Sequence, residues 1–223
     1  MQKTTHPHTQ SERADHTRSR ILDAAVREFS ENGLAGARTE QIAEIAGVNK
    51  ALLYYYFKSK EALYRAALEA VAQRALDNSL AALLPDSSPG EQILRFALNH
   101  FDRIHSQRAF QSLMQQEMMR LHRGEENAIN SIVDKVFRPH MYKLRDLLVL
   151  GKRNRELIDA DEWQIMYAAL GANVFYFLSA PTMGMMTGSN PLTRSAMEER
   201  RKLAIEYLGM AIFTDRKHGT DVA

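Results

Sequence analysis

Residues 39–60 read TEQIAEIAGVNKALLYYYFKSK. Thr39 suits a helix N-cap, with Glu40 and Gln41 in the first turn beside the positive end of the helix dipole. Ile42, Ile45 and Ala46 then share one face of a short helix that Gly47 closes. Asn49 can cap a second helix over 50–57, and Ser59 a third that begins at Lys60 and runs to about residue 83. Two short helices joined through Gly47-Val48-Asn49 have the dimensions of a helix-turn-helix. That unit turns through about 3–4 residues and offers its second helix to a DNA major groove.

The second helix, KALLYYYF, is odd for a core helix. Leu53 and Phe57, four apart, can pack inward against Phe29, Ile42 and Ile45. Lys50, Ala51, Leu52, Tyr54, Tyr55 and Tyr56 cannot all follow them inside. Lys can donate to guanine O6 and N7, Ala and Leu can touch thymine methyls, and tyrosine hydroxyls can reach phosphates. The alternative is that the tyrosines pack against a neighbouring helix or domain.

Upstream, Ile21, Leu22, Ala25, Val26 and Phe29 form a helical stripe that stops at Asn32-Gly33. The first sixteen residues form a polar arm without the apolar core of a secretory signal. Downstream, Pro85-Asp86-Ser87-Ser88-Pro89-Gly90 marks a loop. Helices follow at about 90–106, 108–122, 125–150, 161–180 and 192–214. Gly151 and the polar stretch after it break the third of these from the fourth, and Thr182 to Pro191 forms a loop before the last. The chain is therefore all-α, with about nine helices. The apolar stretch Trp163–Ala180, interrupted by Gln164 and Asn173, falls short of the roughly 20 residues that span a bilayer.

The chain has 223 residues, 45% of them apolar, with 29 Lys and Arg against 27 Asp and Glu, and no Cys. That excludes a disulfide scaffold, a thiolate zinc site and a catalytic thiol, and fits a reducing cytoplasm. A net charge of +2 is small for a protein that holds DNA by bulk electrostatics. The basic excess is local instead: Lys50, Lys58 and Lys60 fall within eleven residues that hold no acid. Residues 70–223 carry no phosphate-binding glycine loop, no HExxH and no Ser-x-x-Lys motif. The histidines are scattered, so neither a metal site nor a cofactor nor a catalytic centre is expected.

The whole run from 17 to 68 resembles the DNA-binding domain of the tetracycline-repressor (TetR) family, through ILDAAVREFSENG, TEQIAEIAGV and LYYYFKSKEALY. The resemblance implies an N-terminal helix-turn-helix domain over 17–68 behind a flexible arm over 1–16. A C-terminal helical domain for effector binding and dimerisation would occupy 69–223. Thr39 would contact phosphate with Arg38 near the backbone. Asn49, Lys50, Ala51, Leu52 and Tyr55 would face the groove, while Tyr54, Tyr56 and Lys60 would bond phosphates. Ala51 and Leu52 depart from the small polar residues frequent there. Lys58, Arg13, Arg18 and Arg20 are further cations that could meet phosphates or stay solvated.

The family's C-terminal half holds a small effector, which makes Phe96, His100, Phe101, Met114, Met118, Phe137, Met141 and Tyr176 pocket candidates. Ordinary core packing is the alternative for each of them. Ala168, Gly171, Ala172 and Phe175 on one apolar helix, with Leu203, Tyr207, Met210 and Ala211 on the last, suit a dimer interface closing as a four-helix bundle. The resemblance implies a homodimeric regulator, a repressor released from a pseudo-palindromic double-stranded DNA operator by a small-molecule effector. The rival is a helical small-molecule-binding protein or enzyme without operator-specific DNA binding.

Overall fold

The computed structural model describes residues 10–81, 83 and 86–217. Ten α-helices follow one another: α1 (Gln10–Gly36), α2 (Thr39–Ile45), α3 (Lys50–Tyr56), α4 (Lys60–Ala81), α5 (Pro89–Ser106), α6 (Arg108–His122), α7 (Ile129–Ile132), α8 (Arg138–Arg153), α9 (Glu162–Thr187) and α10 (Arg194–Ile212). A π-helical turn, Val133–Phe137, joins α7 to α8. Counted as one interrupted rod, Ile129–Arg153 brings the total to the expected nine among the described residues.

The helices gather into two compact units that are not contiguous in sequence. One contains residues up to Gln73 together with Ala109–Val133; the other contains Arg74–Arg108 and the chain from Asp134 onward. In the first unit the stripe on α1 is buried, and α2 packs on α1 and α3. Phe29 meets Tyr64 edge-on at 5.0 Å, beside fully buried Ile42, Leu53, Leu63 and Leu113. In the second unit α5 is the central rod, touching α8, α9 and α10. A capping box at Ser88 and Glu91, with Pro89 in the first turn, fixes where α5 starts.

Several boundaries differ from the sequence reading. Gln10–His16 are helical and extend α1 upstream; the rest of the expected arm lies outside the described residues. Gly33 does break α1, at φ +66° and ψ 175°, a conformation open only to glycine. The helix expected from 125 starts at Ile129, leaving Glu125 and Glu126 in a loop, and Gly151 stays inside α8.

The largest difference is α9, which runs through Pro181 to Thr187, so Met183, Met185 and Met186 are helical rather than in a loop. Proline costs one helical hydrogen bond there. The segment after Gly188 folds back over the extension: the Tyr176 hydroxyl donates to the Pro191 carbonyl, and a Cβ on Gly184 would sit 3.0 Å from the Ser189 oxygen. Among the described residues no helix is long and apolar enough to cross a membrane.

Candidate DNA-binding surface

The turn between α2 and α3 is locked by local chemistry. The Asn49 side chain accepts from the Leu52 amide at 2.7 Å, as its capping position predicts. Ser59 does the same for α4, accepting from the Ala62 amide at 3.1 Å. Gly47 takes φ +62°. There the Arg20 guanidinium reaches across from α1 to donate to the Ala46 carbonyl, and a Cβ on Gly47 would collide with it. Arg20 is thus a clamp on the turn, neither the phosphate contact nor the solvated cation expected from the sequence. Arg18 likewise lies over the Phe57 ring, at 5.4 Å.

Thr39 does not cap α2. Arg38 occupies the cap position with no side-chain bond, its amide held by buried Glu28 at 3.1 Å, while its own side chain is exposed. Thr39 is buried inside the first turn, and its hydroxyl sits 3.3 Å from the Tyr54 hydroxyl. That contact ties the start of α2 to the middle of α3. Ile45 also departs from expectation, being 41% exposed instead of packed on Leu53 and Phe57.

Along α3 only Leu53 is buried. Asn49, Lys50, Ala51 and Tyr55 are exposed, and Leu52, Tyr54 and Tyr56 are half-buried. Tyr55 stands 71% exposed, edge-on to Tyr56 at 5.5 Å, with the Lys58 ammonium 5.8 Å over its ring. Lys50 forms an ion pair with Glu40 on α2 and lies 5.9 Å over the Tyr54 ring. The hydrogen bond to Glu40 raises the Lys50 pKa, and the same bond lowers that of Glu40. Lys60 donates to the Ala35 carbonyl at 3.1 Å. Thr39, Lys50 and Tyr54 are therefore gathered into one cluster, with Glu40 as a member that the sequence reading passed over.

The other expected sites scatter. Of the pocket candidates, half-buried Met114 and exposed Met118 fall in the first unit. Phe96, His100 and Phe101 are buried on α5 of the second unit, with Phe137, Met141 and Tyr176 half-buried there. Phe101 and Tyr176 meet at 6.0 Å. A cavity of about 260 Å³ lies among α5, α9 and α10, with Phe101, Asn173 and several alanines in its wall. Its lining includes Ala168, Ala172, Tyr207 and Ala211, which the sequence reading had assigned to an interface. Gly171 and Phe175 are exposed, Phe175 to 66%, as are Met210 and Ala211; Leu203 is half-buried.

Residues 21–67 match the family of bacterial regulatory proteins called tetR, and residues 89–208 match the tetracyclin repressor-like C-terminal domain. The chain belongs to the TetR family. It is a family of helix-turn-helix transcriptional regulators, not of enzymes. The chain is 42% identical over 85 residues to the transcriptional repressor NicS of Pseudomonas putida, a match covering 38% of this chain and 40% of that protein. It is 59% identical over 51 residues to the transcriptional regulator RutR of Escherichia coli, covering 23% and 24%. It thus spans less than half the length of these relatives. Among solved structures, a regulator from Saccharomonospora viridis in complex with choline aligns over 89% of this chain and 98% of its own, at TM-score 0.69 and 17% identity. The regulator SCO4942 of Streptomyces coelicolor aligns over 86% and 97%, at TM-score 0.60 and 26% identity.

Proposed function

We propose that this protein is a homodimeric transcriptional repressor of the cytoplasm that binds a pseudo-palindromic operator and leaves it when a small molecule binds. Residues 17–68 read the DNA, Arg13 at the exposed start of α1 adds a cation near the backbone, and residues 69–223 serve effector binding and dimerisation. One observation carries the reading: α3 buries only Leu53 and leaves Asn49, Lys50, Ala51 and Tyr55 to solvent. Its exposed side chains are of the types that meet base edges and phosphates in a DNA groove.

Lys50, Ala51, Leu52 and Tyr55 supply base contacts, whereas Arg38, Thr39, Tyr54, Tyr56 and Lys60 position the backbone. The dimer is supported by the apolar face of α9 and α10, where Phe175, Leu178 and Tyr207 are each more than half exposed. Patches of that kind mark protein–protein contacts. A two-fold dimer sets its two reading helices about 34–36 Å apart, one turn of DNA. An effector acts by binding more tightly to the dimer shape whose heads are misplaced.

Selection of bound DNA from a random library tests this directly. Enriched sites with two-fold symmetry are expected; equal binding of all sequences at low salt would turn the reading toward a helical binding protein that does not read operators.

A further inference from the structure

Arg103, on α5 of the second unit, is only 7% exposed, yet no carboxylate among the described residues pairs with it. Its Nη1 donates to the Ala75 carbonyl and the Ser79 hydroxyl, both at 2.7 Å. Its Nε is buried without any acceptor. Desolvation brings its pKa down to about 10, which still leaves it charged at neutral pH. Taking an ion out of water is expensive, and two neutral acceptors on one nitrogen do not offset that as a counter-charge would.

Neither Arg103 nor His100 is hydrogen-bonded to a charged side chain. His100, one turn earlier on the same face of α5, is held neutral: its pKa is pushed down to about 3, chiefly by burial and further by the Arg103 charge. Asn173 donates to the Ala97 carbonyl at 2.9 Å and lies 3.5 Å from His100 Nδ1. Phe96 continues this face at the spacing of i, i+4 and i+7. Arg103 is thus a buried cation on the same helix face as a neutral histidine and an aromatic ring.

We infer that Arg103 anchors an anion site, and that the effector is a small organic monocarboxylate accepting from the guanidinium edge that carries Nε. A guanidinium matches a carboxylate in a two-point fork. A dianionic phosphate would bring a second negative charge into the same desolvated place, where neither His100 nor Asn173 carries a charge to meet it. The inference rests on the reading that the second unit takes an effector.

The test is thermal unfolding of the full chain with matched acid and amide pairs: benzoate with benzamide, phenylacetate with phenylacetamide, hexanoate with hexanamide. At least one acid raises the melting temperature by several degrees and its amide does not. Arg103→Met and Arg103→Gln, which remove an unanswered charge, melt within a few degrees of the parent or above it and no longer respond to the acid. An acid shift that survives in both variants, or no shift with any acid in the parent, overturns the proposal. So does a steep fall in melting temperature for both variants, which would make Arg103 a structural tie to α4. Sequence-selective DNA binding by the same variants is measured alongside. If it persists while the acids fail, the regulator stands and only the effector class is wrong.

Discussion

Glu117 in the first unit and Arg103 in the second are both buried ions, and the protein answers them differently. Glu117 is fully buried on α6 and accepts from the Tyr64 hydroxyl at 2.9 Å, the Arg120 guanidinium at 2.8 Å and the Ala128 amide. Three donors meet it, and α4, α6 and the start of α7 are joined through one carboxylate. The Tyr64 hydroxyl is pushed to a higher pKa, first by burial and then by the Glu117 charge, so it remains a donor at any ordinary pH. Arg103 has two neutral acceptors and a bare Nε. A completed network holds architecture in place; an uncompleted one is where a ligand has something to offer.

The strongest challenge to that contrast is Glu117→Ala. Breaking a paired buried ion leaves its partners uncompensated, which costs about 3–5 kcal/mol of stability. Denaturant unfolding should show that loss, set against little or none for Arg103→Met. Similar losses in both variants would erase the distinction.

His100 sharpens the comparison through pH. Its folded pKa is depressed from 6.5 to about 3, so the folded state carries it neutral and the unfolded state protonates first. The stability it contributes is present above pH 6.5 and is lost as pH falls toward 3, at up to about 1.4 kcal/mol per pH unit. His100→Gln should flatten the acid side of the stability profile relative to the parent. An unchanged slope would mean that His100 is not held neutral.

Lys60 and Glu40 probe the first unit's surface instead of its core. Lys60→Ala should weaken binding to all DNA sequences and lower the salt slope by about 1. Lys50→Ala or Tyr55→Ala should instead change which sequences are preferred. Equal effects from all three would remove the division between positioning and reading contacts. The smallest effect belongs to Glu40→Gln. That change frees Lys50 from its ion pair and should raise nonspecific DNA binding by about two- to fivefold. The fold should be unaffected, because exposed pairs contribute little. A fall in nonspecific binding would show that Glu40 aims Lys50 rather than restraining it.

The first unit was the more legible of the two. The periodic stripe of Ile21, Leu22, Ala25, Val26 and Phe29 is buried as read, and Asn49 and Ser59 cap the helices they precede. Glu28 was hidden because a carboxylate inside an apolar stripe gives no sign that it will reach the amide of Arg38. In the second unit, the polar stretch after α8 looked like a plain break. It holds Leu157, which is buried and bridged to Phe213, and Glu156, whose carboxylate accepts from the Gly90 amide at 3.0 Å. These partners lie more than fifty residues apart, beyond the reach of any local pattern.

By itself the sequence determined the helices, most of their caps, the helix-turn-helix and the family. Each of these depends on relations within one or two turns of the chain, where hydrogen-bonding and side-chain periodicity are written in order. Tertiary structure alone decided that Thr39 would join Tyr54 instead of capping α2, that Arg20 would clamp the turn at Gly47, and that α9 would continue past Pro181. It also decided which buried ion would be satisfied. Whether a charge taken out of water meets a partner depends on what distant segments bring to it, and that is settled only when the chain has packed.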